Sequence, residues 1–324
     1  MHNKVLKYAN LVNSLRTEAG GHLDVLAACG DYTSTGSLVE AQGAASALKG
    51  ILSQIPETKF AFCYGNHDTC WAGNISINEW ENLFIENDLL NTKNIVSDNE
   101  KLIGEGVYSW TLGENKCFII GLETMTYAPN IYSNKVLNWL DRYLTEIKDL
   151  GPCIILSHAP IMESGVFGSD PNLDNNAVWA AVDKDENGNV GALHNILKKY
   201  NNVYYFSGHN HRIPIINSNI MSNGYTALNV GSFYGSNLFV VKDISKGKDI
   251  YVDNPNTDLI TGISTALLLE IDETNKIRIK RIFTRDSGGV TGTYNNSNDS
   301  YYELTNISFG SANYNKLSLP WIVQ

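Results

Sequence analysis

One pattern constrains this chain more than any other: an apolar, β-type run that stops at a small residue and is followed at once by a carboxylate, an amide or an imidazole. It occurs in four places. Leu23–Cys29 leads to Gly30-Asp31, Phe60–Tyr64 to Gly65-Asn66-His67-Asp68, Ile154–Ser157 to His158, and Val203–Ser207 to Gly208-His209-Asn210-His211. In the last of these, His209 and His211 are two residues apart, and residues i and i+2 of an extended segment point the same way. Buried-type strands that all end in such chemistry predict an α/β sheet with its functional groups along one edge, at the carboxyl ends of the strands.

Taken singly, each of these residues has an ordinary structural use: a Gly-Asp turn is common, and a strand-end histidine is usually just hydrogen-bonded. Together they argue for convergence on one ion. Asp31, Asn66, His158 and His209 offer oxygen and imidazole nitrogen but no thiolate, a mixture that suits manganese, iron or zinc in a hydrolytic centre better than a structural zinc site. The five cysteines (29, 63, 70, 117 and 153) show no metal-ribbon spacing. Cys29, Cys63, Cys117 and Cys153 lie in apolar runs, where a free thiol packs as a small hydrophobe, and this disfavours a disulfide framework. A net charge of −10 with no basic stripe argues against nucleic acid as the main partner. No run approaches the roughly 18 apolar residues of a membrane span. The N-terminus begins with amphipathic, helix-like sequence in place of a signal peptide, so a soluble chain is expected, cytoplasmic in preference to secreted.

The scaffold can be read between these points. A helix is predicted over 3–19, stopped by Gly20-Gly21, and another over 38–54. Trp80, Leu83, Phe84, Leu89 and Leu90 are candidate core positions. Val107–Leu112 and Lys116–Gly121 predict a hairpin. Ser133-Asn134 caps a helix whose Val136, Leu137, Leu140, Leu144 and Ile147 form one stripe. Asp183-Lys184-Asp185-Glu186-Asn187-Gly188 resembles half of a calcium loop, but His194 stands where a bidentate Glu is needed, so a solvated turn is expected. Ala266–Ile271 and Lys276–Thr284 predict a second hairpin, 286–300 a Gly/Asn/Ser-rich loop, and 301–324 a docked tail.

In this order, Gly30-Asp31, Gly65-Asn66-His67-Asp68, Ser157-His158-Ala159-Pro160 and Gly208-His209-Asn210-His211 resemble the motifs of the calcineurin-like metallophosphoesterases, over residues 3–285. The resemblance implies an α/β fold, a four-layer αββα sandwich of two mixed sheets flanked by helices, with the first strand missing here. The domain would span 1–285 and the loop and tail 286–324. It further implies a binuclear centre of manganese, iron or zinc. Asp31 would bridge both ions, Asn66, His158 and His209 would complete one, and His211 would belong to the other. His67 would face the leaving-group oxygen as general acid, supported by Asp68. The implied reaction is hydrolysis of a small-molecule phosphate monoester or diester by a metal-bound hydroxide, with no nucleic acid or membrane involved.

The sequence departs from the family at its first motif, an Asp-x-His expected ahead of the 3–19 helix. His2 has no strand before it, and Gly21-His22-Leu23-Asp24 stands at the beginning of a strand. The second ion keeps only Asp31 and His211, so one ion and impaired activity are expected of this chain. A late start or trimming accounts for this better than degeneration, since a chain that had lost catalysis has little reason to keep His67 and four ligands of the other ion. The rival is an inactive scaffold of the same fold that binds a protein partner. Specificity is expected in the loops at 32–37, 68–80, 122–132 and 162–190, which carry Tyr32, Trp71, Tyr127, Phe167 and Trp179. Arg212 is a candidate phosphate contact or surface ion pair.

Overall fold

The structure is a computed structural model that describes residues 11–69, 75–99, 101–114, 117–124, 130–161, 183–209, 220–222, 224–230, 238–243, 248–253, 263–285, 290–295, 303–309, 315–318 and 322–323. His211, Arg212, Trp71, Tyr127, Phe167 and Trp179 lie outside these residues. Compactness divides the chain into two units, Asp24–His209 with Met221–Leu228, and Met1–Leu23 with Asn210–Ile220 and Asn229–Gln324. The helix over 11–18, α1, belongs to the second of these.

In the first unit, β1 (Val25–Cys29) leads to α2 (Leu38–Leu52), whose Ser37 cap accepts a bond from the Glu40 amide. β2 (Lys59–Cys63) pairs parallel with β1 in a register that sets Cys29 beside Cys63. A single turn, α3 (Asn66–Thr69), follows directly. Ser76 and Glu79 then form a reciprocal capping box that starts α4 (Ile77–Glu86). β3 (Val107–Leu112) and β4 (Cys117–Leu122) are the expected hairpin. After β5 (Asn130–Tyr132), the Ser133 hydroxyl accepts from Val136 and starts α5 (Asn134–Ile147). The rest of the unit comprises β6 (Cys153–Ser157), β7 (Asp183–Asp185), α6 (Ala192–Leu197), β8 (Val203–Ser207), β9 (Ile220–Ser222) and β10 (Thr226–Asn229).

These strands make a parallel β1–β2 pair, a parallel β5–β7 pair, and a six-stranded mixed sheet of order β3-β4-β6-β8-β10-β9. Among the described residues β1 is the first strand of the chain. An aromatic layer joins the β1–β2 pair to the larger sheet. The Phe62 ring of β2 stands 4.7 Å from Tyr108 and 5.6 Å from Trp110 of β3, and Phe84 of α4 meets it edge-on at 4.8 Å, all within the attractive range for ring pairs. Contact is close enough that a Cβ on Gly121 of β4 would lie 2.0 Å from the Phe62 carbonyl. A second core holds α5 and α6 on the large sheet, where Val136, Leu137, Leu140, Leu144, Ile147, Leu193 and Leu197 cluster with Phe118, Ile120, Ile155 and Tyr205. The order helix, sheet, sheet, helix is the αββα sandwich that the motifs implied. Cys63, Cys117 and Cys153 are buried free thiols and Cys29 is half-buried, which fits their reading as small hydrophobes.

The second unit is mostly antiparallel. α1 ends at Gly20 and Gly21, whose φ angles of 79° and 102° suit a residue with no side chain. Leu11 and Leu15 of α1 cluster with Leu23 and Leu268, and Lys280 pairs with Glu18. β11 (Leu238–Asp243) pairs with β12 (Lys248–Asp253), and β13 (Ile263–Ile271) with β14 (Ile277–Arg285). The stretch 286–300, expected as a loop, contains β15 (Val290–Asn295), paired with β16 (Glu303–Phe309). The Gly/Asn/Ser-rich composition there masks the β-forming Val290-Thr291-Gly292-Thr293-Tyr294, whose partner is distant in sequence. β17 (Asn315–Ser318) and β18 (Ile322–Val323) both pair with β14, so the tail is anchored. Among the described residues no helix is long and apolar enough to cross a membrane.

Candidate metal centre

Strand register builds this site. Because Cys29 pairs with Cys63, the turns after β1 and β2 emerge side by side and bring Asp31 to Gly65-Asn66. Because Ser157 pairs with Ser207, His158 emerges beside Gly208-His209. The four side chains meet: His158 Nε2 is 3.2 Å from Asp31 Oδ2, 3.0 Å from Asn66 Oδ1 and 3.0 Å from His209 Nδ1. His209 Nδ1 is in turn 2.9 Å from Asn66 Oδ1. Asp31, His158 and His209 alone form a cluster whose ligand atoms lie within 4.8 Å of one another.

The glycines among these residues are needed for close approach. A Cβ on Gly65 would lie 2.2 Å from Asp31 Oδ1, and one on Gly30 would lie 2.5 Å from the Gly65 nitrogen. On Gly208 it would crowd the Cys29 carbonyl at 3.1 Å and His158 Nδ1 at 3.4 Å. Asp31 and His209 themselves take left-handed backbone conformations, with φ of 61° and 65°. Strain of that kind costs about 1–3 kcal/mol per residue and collects at functional sites.

The donor set tests whether a cation fits. His158 Nδ1 donates to the Cys29 carbonyl at 2.6 Å, so in the neutral ring Nε2 carries the lone pair. That lone pair, a carboxylate oxygen and the Asn66 amide oxygen face one point at which like partial charges repel unless a proton or a cation joins them. Donor atoms about 2.1 Å from a shared ion stand about 3.0–3.4 Å apart, which is the spacing found here. A divalent cation therefore fits this set. Without one, a proton takes its place. Burial lowers the affinity of His158 for a proton, but the Asp31 charge, its hydrogen bond and the Cys29 carbonyl outweigh this, and the ring is pushed up to about 9. Burial acts to raise Asp31, yet His158 and the His67 amide hold it well below the usual carboxylate range.

His67 and Asp68 lie in α3, next to this cluster. The His67 amide donates to Asp31 Oδ1 at 3.1 Å, and its ring Nδ1 lies 2.7 Å from the Ser34 carbonyl. The fully buried Asp68 carboxylate receives the amides of Asp31, Tyr32 and Gly65 on Oδ2, and the amide and hydroxyl of Thr33 on Oδ1. Burial and the neighbouring Asp31 push Asp68 up to about 6 against the pull of those donors. Sequence reasoning missed Thr33 and Glu123. Glu123 follows β4 and is 5% exposed, with its carboxylate 3.5 Å from the Thr69 hydroxyl. The signal for Glu123 was its place just past a strand that neighbours β6; for Thr33 it was a hydroxyl two residues after Asp31.

The calcium-like segment is occupied by its own backbone. Asp185 accepts from the amides of Asn187 and Asn189, and Asp183 from those of Leu193 and His194 at the start of α6. This is the polar turn expected there.

Two comparisons bear on the site. A profile of the calcineurin-like phosphoesterases matches residues 1–212, which include every strand end described above. A search of curated proteins finds no match.

Proposed function

Since the chain belongs to the calcineurin-like phosphoesterases, we propose that it hydrolyses a small-molecule phosphate monoester or diester, with a divalent cation held by Asp31, Asn66, His158 and His209. The observation that carries this is the meeting of four unlike donors, from four strand ends, at separations of 2.9–3.2 Å. Family membership supplies phosphate-ester chemistry; manganese, iron or zinc are the ions that such a donor set takes. When bound, the ion acts as a Lewis acid on the phosphoryl group and lowers the pKa of water to about 7.

The protein's own residues do the rest. Asp31 and Asn66 orient their oxygens through turns that the glycines bring together. The Cys29 carbonyl fixes the tautomer of His158, which leaves Nε2 as its ligand atom. His67 is the proton donor to the leaving oxygen, from the ring end away from Ser34. Asp68 serves it indirectly: its carboxylate gathers the amides of the Asp31 turn, and so sets where Asp31 and His67 stand. His211, assigned to a second ion by resemblance, lies outside the described residues, and within these 324 residues one ion has a full ligand set. Weak activity is therefore expected.

The test is hydrolysis of aryl phosphate monoesters and diesters with manganese. We expect turnover that a chelator abolishes. His67→Ala should lower kcat by about 10²–10⁴, the range supplied by a general acid, while manganese affinity holds. No turnover on any ester, together with no manganese bound by the wild type, would sink the reading. The rival inactive scaffold requires that His67→Ala change nothing.

A further inference from the structure

The Thr33 hydroxyl touches three groups. It lies 2.9 Å from the His67 carbonyl and 3.0 Å from Asp68 Oδ1, and it accepts from the Gly36 amide at 3.2 Å. Thr33 is 8% exposed, so water competes little for these bonds. The hydroxyl ties both ends of the 31–36 loop to α3. The next residue, Ser34, presents its carbonyl to His67 Nδ1 at 2.7 Å. A carbonyl only accepts, so Nδ1 must carry the proton there, and in the neutral ring the bare nitrogen is Nε2.

We propose that Thr33 is a positioning residue for His67: its hydroxyl clamps the loop so that the Ser34 carbonyl holds the Nδ1 proton and directs Nε2 at the leaving group. The ion-binding set is separate from this clamp. Without the hydroxyl, Asp68 still receives the amides of Gly65, Asp31, Tyr32 and Thr33, so Asp31 keeps its place. The substitution should thus alter the proton donor and spare the metal site.

The kinetic arm of this inference rests on the phosphoesterase reading; the spectroscopic arm does not. Ring ¹⁵N correlation spectra of the whole chain, recorded where the ring is neutral, should show His67 protonated at Nδ1. Thr33→Val, of matching shape, should mix the two tautomers, and Thr33→Ser should restore the wild-type spectrum. In the same variants Thr33→Val should lower kcat by about 10- to 100-fold, the cost of a proton donor displaced by about 1 Å. KM and manganese affinity should stay within about threefold, and Thr33→Ser should recover most of kcat. A wild-type ring protonated at Nε2 overturns the proposal whether or not any variant folds. A Thr33→Val protein with an unaltered ring spectrum and kcat also overturns it. If the wild type hydrolyses no ester, the function reading fails while the ring spectra still decide this inference.

Discussion

His158 is a ring prepared for either of two occupants. Its Nδ1 is committed to the Cys29 carbonyl, so whatever binds at Nε2, proton or metal ion, meets the same fixed geometry. With the metal-free ring pushed up to about 9, an incoming cation must displace a proton at every pH below that. Apparent manganese affinity is therefore expected to rise about tenfold per pH unit up to about pH 9 and level off above, with about one proton released per ion. Calorimetry in buffers of different ionisation enthalpy measures that release directly; an affinity that is flat from about pH 6 to about pH 8 would contradict the assignment of Nε2. Stability of the metal-free protein follows the same linkage. The folded His158 value lies above its ordinary 6.5, so its contribution is complete below 6.5 and is lost as pH rises through about 9. Asp31 is held low, so its contribution is present above the ordinary 3.8 and disappears only in strong acid. Asp68 acts in the opposite sense, because ionising it in place opposes folding increasingly from 3.8 to about 6. The melting temperature without metal should therefore fall between pH 6.5 and about 9.

The element that decides the site is the turn from β2 into α3, where two backbones touch with no side chain between them. With a Cβ on Gly65 placed 2.2 Å from Asp31 Oδ1, Gly65→Ala must push the carboxylate out of its position or part the two turns. We expect manganese affinity to fall by at least about tenfold, the size of loss that follows when a ligand's supporting contacts are removed. Far-UV circular dichroism should stay unaltered, because the sheets and α5 do not depend on that contact. Retained affinity would mean that Asp31 does not bind the ion from this turn. Strand ends of this kind were legible in the sequence, since apolar runs of strand length with Gly, Asn, Asp and His after them state both an element and its chemistry. The Ser133 cap and the α5 stripe were legible for the same reason. What the sequence could not disclose was that Asp68 spends its carboxylate on the Asp31, Tyr32, Thr33 and Gly65 amides. That depends on which loops a fold brings together, and His-Asp adjacency in the chain suggests a different, direct partnership. β15 was hidden likewise, because its pairing partner β16 is what makes a Gly- and Asn-rich segment extended.

At the scale of the molecule, the division of the chain was the least legible feature. Uniform composition before residue 286 gave no linker to read, whereas compactness groups residues 1–23 with 229–324 and sets Asp24–His209 apart. Asp31, Asn66, His158 and His209 all fall in the latter unit. An ion that binds only the folded form stabilises it by about 2.7 kcal/mol at 100 times its Kd, and that stabilisation should appear first where its ligands are held. Hydrogen exchange with and without manganese is expected to slow in β1, in β2 with α3, and in the turns after β6 and β8. The β13–β14 hairpin, which belongs to the other unit, should change little. Asp31→Asn should erase the protection in all four segments together, because each donor is held in place by the same ion. Protection that appears in β13–β14 while the four strand ends stay unchanged would mean that manganese binds elsewhere, and the candidate centre would then have no claim on the chemistry.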